Sequence, residues 1–288
     1  VTANRLYKFE HFEYAIEAYK IGLLNPAKST YRFQLARIYG QQGNIELMYE
    51  NYLELITSNK QYLQSVKNTL NRTVSNDSES ENNILLKNIL LRKVQETNDE
   101  NLADLLIWLF IQEKNFTAAF DQEKAMDQKL DSDQKKVFVL ASICRKNKAF
   151  EVAKSCYSYI ISKGTESNYY LDSQLALLTV NKELLEAKPK ATTEERKQLE
   201  QEYASSFLSL GKTSYTILLI RDLAQIQAFR LYDLDNASAT IKEALELHSA
   251  SNEDLAECKL VYADILLLQN EIWDAILYYS QVDKAYKH

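Results

Sequence analysis

Apolar and polar residues follow each other along this chain with the period of an α-helix, in stretches separated by short polar breaks. The clearest stretch covers residues 31–56 and reads YRFQLARIYGQQGNIELMYENYLELI. One face of its first half carries Leu35, Ala36 and Tyr39, and one face of its second half carries Met48, Tyr52 and Leu55. Because Gly43-Asn44 interrupts the pattern between them, the stretch predicts two antiparallel helices joined by a tight turn.

This pattern repeats along the chain. Met48 and Tyr52 follow Ala15 and Tyr19 by 33 residues, and an alanine at 153 follows one at 119 by 34 residues. Further copies surround Ala153 and Tyr157, and then Ala275 and Tyr279. Small residues facing large ones allow two helices to approach closely, so Gly22, Ala36, Ala141, Ala153, Ala263 and Ala275 are expected at helix contacts.

Three segments depart from this signature. Residues 61–96 predict two helices joined by a polar stretch, and residues 213–247 fit a hairpin weakly through four alanines. Residues 167–210 predict a longer hairpin broken at Lys188-Pro189-Lys190, with Thr192 and Glu195 as a capping box for its second helix. The count is about eight hairpins, which we assign to one helical-repeat domain over residues 1–288.

These residues resemble the tetratricopeptide-repeat family over about half of the chain. The resemblance implies an all-α fold, an α-solenoid of antiparallel helix hairpins with a right-handed superhelical twist. The Tyr-, Asn- and Lys-rich style is similar to exported tetratricopeptide proteins of Bacteroidetes. That similarity leads us to expect a periplasmic or cell-envelope-associated protein, with a cytoplasmic one as the alternative.

The last predicted helix carries apolar residues on the side where a solenoid end normally has a polar cap. They are Ala275, Ile276, Tyr278, Tyr279 and Val282. We therefore expect a packing helix cut off at His288, and a chain that is a piece of a longer repeat protein.

Composition agrees with long helices, because five Gly and two Pro leave few turn signals. The formal charge of −6 argues against nonspecific nucleic-acid binding. No apolar run is long enough to span a bilayer. The three widely spaced cysteines indicate small buried side chains rather than a zinc site or a disulfide framework.

No motif indicates catalysis. His11, His248 and His288 lie near predicted helix ends or the terminus, without a neighbouring nucleophile. Gly40-Gln41-Gln42-Gly43 lacks the lysine and the strand of a phosphate-binding loop. We therefore expect no enzyme, no cofactor and no metal ion.

Binding residues are expected on the first helix of each hairpin, which lines the concave surface of such a stack. The candidates for protein binding are Phe33, Arg37, Gln41, Trp108, Lys135, Phe138, Arg145 and Lys146. Packing between helices is the competing interpretation for Trp108 and Phe138. Arg37 and Arg145 are equally compatible with solvation and with anion binding.

The cations among these candidates favour an acidic or carboxylate-bearing partner segment if they converge, and scattered surface charge if they do not. Chaperone-binding members of the family hold a carboxylate with Lys and Asn, and Phe33 and Arg37 stand in those places here. That particular clamp is therefore absent.

The sequence thus predicts a non-catalytic interaction scaffold that presents a concave groove to a peptide or protein partner. The alternative is a regulatory or sensor module of a larger protein with a separate output domain. Neither interpretation names the partner.

Overall fold

In the computed structural model, which describes residues 2–285, helices account for all the regular secondary structure. Sixteen α-helices follow one another, and no strand occurs in the part of the chain described. The chain divides into two compact units, Val1–Ser132 and Asp133–His288. The prediction of an all-α protein built from helix pairs is confirmed.

The described part of the first unit contains eight α-helices, most of them packed on their neighbours in sequence. They are α1 Thr2–Lys8, α2 Phe12–Gly22, α3 Tyr31–Gln41, α4 Ile45–Ser58, α5 Leu63–Leu70, α6 Glu81–Thr97, α7 Glu100–Gln112 and α8 Phe116–Leu130.

The second unit also contains eight helices, each packed on the next. They are α9 Lys135–Lys146, α10 Phe150–Ser162, α11 Tyr170–Ala187, α12 Thr193–Leu210, α13 Ile217–Gln225, α14 Leu234–Leu245, α15 Asn252–Leu268 and α16 Ile272–Ala285. Residues 226–230 extend α13 as a π-helical segment, which the hairpin pattern does not predict.

The hairpin of α3 and α4 has the predicted turn and core. Gly43 lies in the turn between the two helices with a φ of +75°, a conformation that costs glycine little. The Asn44 side chain caps α4 by accepting a hydrogen bond from the Leu47 amide. The six predicted facing residues of the two helices are all buried. Hydrophobic burial on one stripe of each helix therefore holds the pair together.

Small residues lie where helices come closest. Ala36, Ala141, Ala153, Ala263 and Ala275 are each 0% exposed. A Cβ atom added to Gly22 would lie 2.5 Å from the Tyr31 ring, so any larger residue between α2 and α3 would require that ring to move. The predicted close contacts are thus present in both units.

The long hairpin of α11 and α12 also has the predicted features. Lys188-Pro189-Lys190 separates its helices, and Thr192 and Glu195 form the reciprocal capping box. The Tyr203 side chain of α12 is fully buried and donates to the Leu178 carbonyl of α11 at 3.2 Å.

The outer side of α16 is apolar and open to solvent. Trp273 is 85% exposed, and Ile272, Ile276 and Leu277 are about half exposed. The residue at which this helix is expected to be cut off, His288, lies outside the described residues. Among the helices of residues 2–285, none has the length and apolar character that crossing a membrane requires.

Candidate protein-binding surface

Helix α9 places most of the predicted binding residues of the second unit on one side. Lys135, Phe138, Ser142 and Arg145 recur at intervals of three or four residues, which gives them a common helix face. The opposite face carries Val137, Leu140, Ala141 and Cys144 into the core. The amphipathic pattern of α9 therefore fixes which side chains can reach a partner.

Phe138 combines packing with partial exposure. Its ring stacks on Tyr169 at 5.0 Å between centroids and meets the edge of Tyr157 at 5.6 Å. The packing interpretation therefore applies to much of this side chain. These contacts with Tyr157 and Tyr169 hold the Phe138 ring in position on α9.

Arg145 forms a bidentate ion pair with Glu183 of α11. Its Nη2 lies 2.7 Å from Oε1, and its Nε lies 2.9 Å from Oε2. Both side chains are about one-third exposed, and the carboxylate raises the pKa of the guanidinium. Arg145, for which the sequence leaves solvation and anion binding equally open, thus already holds a carboxylate of its own chain.

A cavity of about 600 Å³ opens beside this ion pair. Its lining comes from α9, the following turn, α10 and α11, and consists of Ser142, Arg145, Lys146, Lys148, Phe150, Tyr157 and Glu183. Two predicted residues, Arg145 and Lys146, therefore share one site. Lys135 stands ten residues before Arg145, so it lies about 15 Å away along the helix.

Further ion pairs join every second helix of the second unit. Lys182 of α11 lies 2.9 Å from Asp222 of α13, and Arg221 of α13 pairs with Glu257 of α15. Together with the pair of Arg145 and Glu183, they connect α9, α11, α13 and α15 in one row. We call these four helices the helix row.

In the first unit, two of the predicted binding residues, both on α3, contact aromatic rings. Phe33 packs edge-on against Tyr52 of α4 at 5.6 Å, and the Arg37 guanidinium lies 5.8 Å from the centre of the Tyr7 ring. Arg37 and Gln41 are exposed, and Trp108 of α7 is half-buried. The structure therefore leaves Arg37 and Gln41 open to solvent.

Sequence reasoning missed Lys148, Phe150, Tyr157 and Glu183 as cavity residues. One signal was present, because Arg145 and Glu183 are 38 residues apart and Arg221 and Glu257 are 36 apart. Opposite charges at roughly one repeat length indicate side chains that meet when successive hairpins stack.

Fold and surface together define an all-α protein of successive helix hairpins, with ion pairs that join the helix row of its second unit. No family model matches the chain, and no curated protein matches it. Solved structures with a similar backbone include tetratricopeptide-repeat proteins.

Three of these solved structures come from bacteria. A thermophilic tetratricopeptide-repeat protein of Thermus thermophilus has 15% identity and a TM-score of 0.43, over 65% of this chain and 91% of that one. One from Parabacteroides merdae has 11% identity and a TM-score of 0.39, over 98% and 90%. The C-terminal part of one from Cytophaga hutchinsonii has 14% identity and a TM-score of 0.37, over 89% and 98%. With scores this low, the fold assignment rests on the helices of the chain itself.

Proposed function

We propose that this chain is a non-catalytic scaffold whose helix row presents a groove to a peptide or protein partner. The observation that carries the proposal is the set of ion pairs that joins α9, α11, α13 and α15. Paired side chains hold neighbouring helices in register and so favour a preorganised surface. Preorganisation lowers the ordering cost of binding.

The chemistry of the surface supports binding rather than catalysis. Arg145 and Asp222 are engaged in ion pairs, and all three cysteine thiols are buried. Over residues 2–285, no group of three or more His, Cys, Asp or Glu side chains is placed to hold a metal ion. A reaction would require converging reactive groups, whereas a binding surface requires shape, charge and exposure.

Site-specific photo-crosslinking in the native cell tests this proposal. A photoreactive residue would replace Lys135 or Lys146 on α9, and matched controls would carry it at the exposed Ser155 or Ser158 on α10. We expect the α9 positions to give discrete crosslinked partners and the α10 positions to give none. Crosslinks of equal yield from both helices would contradict the assignment of the groove.

The same experiment addresses the compartment. Envelope and cytoplasmic fractions would be compared for crosslinked products, since the predicted envelope location and its cytoplasmic alternative place the partner in different fractions. We propose the envelope, on the resemblance in sequence style alone.

A further inference from the structure

We propose that the cavity beside Arg145 binds the carboxylates of an acidic protein segment. The inference rests on the proposed scaffold function and specifies which partner chemistry one part of the groove recognises. Three observations support it: an excess of positive charge, a lining of hydroxyl and aromatic groups, and an internal carboxylate already bound there.

The positive charge of the cavity is not balanced locally. The lining contains three cations, Arg145, Lys146 and Lys148, and one carboxylate, that of Glu183, on a chain whose formal charge is −6. Asp222 also acts on Arg145, but it lies outside the lining and pairs with Lys182 and Arg221. Among the described residues, neither Lys146 nor Lys148 forms an ion pair. Elsewhere on the helix row, Lys182 and Arg221 each lie beside an acidic side chain. The cavity therefore offers two cations that no side chain of the described residues neutralises, and such cations attract acidic ligands.

The cavity lining combines polar groups with an aromatic wall. Ser142 and Tyr157 contribute hydroxyls 3.5 Å apart, and Phe150 contributes a half-buried ring. Burial raises the pKa of Tyr157, so its hydroxyl stays protonated and able to donate. With about 600 Å³ of space, the site accommodates acidic side chains and one apolar side chain of an extended segment.

Glu183 shows which ligand group this geometry accepts. Its carboxylate accepts hydrogen bonds from both Nε and Nη2 of Arg145. This planar, bidentate arrangement is the one that guanidinium groups prefer for carboxylates. An incoming carboxylate would first meet the exposed Lys146 and Lys148 and would then compete with Glu183 for Arg145. Glu183 therefore acts as an internal competitor that weakens binding.

The test uses the full chain and a short fluorescein-labelled peptide rich in Glu with one Phe. The matched control peptide replaces each Glu with Gln. Fluorescence anisotropy should show binding of the Glu peptide, weakened by raising the salt from about 0.05 M to about 0.5 M, and little binding of the Gln peptide.

Three variants separate the contributions of the cavity residues. Lys146→Ala with Lys148→Ala should weaken binding about tenfold, because two unpaired cations are lost. Glu183→Gln should tighten it about threefold, because the competitor loses its charge. Lys190→Ala with Lys197→Ala removes two exposed cations outside the cavity and should change affinity by less than about twofold. Circular dichroism establishes that each variant is folded.

Equal binding of the two peptides would overturn the inference. Weaker peptide binding by the Glu183→Gln variant would also overturn it. The same holds if the double substitutions at Lys146 and Lys148 and at Lys190 and Lys197 change the affinity equally. Displacement of the peptide by millimolar inorganic phosphate, with the same dependence on Lys146 and Lys148, would mean a general anion site and would also overturn it. If the Glu peptide does not bind but α9 positions still give crosslinked partners, the inference about carboxylate binding is wrong and the proposed scaffold function is still supported.

Discussion

The buried tyrosine hydroxyl of Tyr203 shows how single residues hold the hairpins together. Its ring is buried in the core of the second unit, and its hydroxyl donates to the Leu178 carbonyl of α11. Burial raises the pKa of Tyr203 far above its ordinary value, because the phenolate would lose its hydration. The same cause raises the pKa of Cys258 to about 11.

Tyr203→Phe should lower the free energy of unfolding by about 1 kcal/mol at neutral pH, because the Leu178 carbonyl loses its side-chain partner. Above pH 10.0 the unfolded tyrosine ionises while the folded one stays protonated, so the stability from Tyr203 is present below pH 10.0 and falls above it. Urea unfolding near pH 8 and near pH 10.5 measures both effects. The wild type should lose more stability between these pH values than the variant, and equal losses would contradict the argument.

Ala141 tests the close contacts that the repeat predicts. It lies on α9 with no exposed surface, in a hairpin where α9 packs tightly on α10. Ala141→Leu should destabilise the protein by about 1–3 kcal/mol through overpacking. Ala204→Leu makes the same change at an exposed site of α12 and is the control. If thermal unfolding gives both variants the melting temperature of the wild type, the assigned contact at Ala141 is wrong.

At the scale of the element, the capping box sets the start of α12. The Thr192 hydroxyl accepts from the backbone amide at position 195, and it thereby satisfies one of the amides that a helix start leaves without a partner. Thr192→Ala should cost about 1 kcal/mol, whereas Thr193→Ala, one residue further along, should cost little. Chemical denaturation of the two variants checks the difference. A larger loss for Thr193→Ala would place the helix start elsewhere.

The helix row depends on Asp222, whose buried carboxylate lies beside Lys182 and Arg221. Asp222→Ala should cost about 3 kcal/mol, because two partly buried cations lose their shared partner. Glu243→Ala breaks the exposed pair with Lys212 and should change stability by less than about 1 kcal/mol. Urea titrations of both variants provide the comparison. Similar losses would show that burial does not distinguish these pairs.

Helix periodicity was sufficient to predict most of the elements. The spacing of Ala15, Ala36 and Ala153 located hairpins, and Thr192 with Glu195 located a helix start, because these signals act within one hairpin. The π-helical segment 226–230 gave no such signal. Helix periodicity also does not predict which surface residues contact each other. The pairing of Arg145 with Glu183, for example, depends on how successive hairpins stack.

At the scale of the whole molecule, internal contacts divide the chain at residues 132 and 133. The assignment of residues 1–288 to a single domain, and the right-handed twist that the family resemblance implies, stay predictions. In hairpin stacks each pair depends chiefly on its neighbours, so a cut between hairpins preserves more structure than a cut within one. The boundary between units falls between α8 and α9, which is such a position.

A fragment of residues 133–288 should therefore fold without the first unit. It keeps the core shared by α11 to α16 and the ion pairs of the helix row. We expect helical circular dichroism, cooperative thermal unfolding and binding of the Glu peptide within about threefold of the full chain, since the cavity lies wholly inside it. A fragment of residues 147–288 lacks α9 and leaves Ala153 and Tyr157 of α10 without their partner helix, so it should unfold at lower temperature and lose the peptide. A gradual melt of the longer fragment would mean that the second unit requires the first for its fold. Equal stability and equal peptide binding of the two fragments would mean that α9 contributes neither to the fold of this unit nor to the cavity.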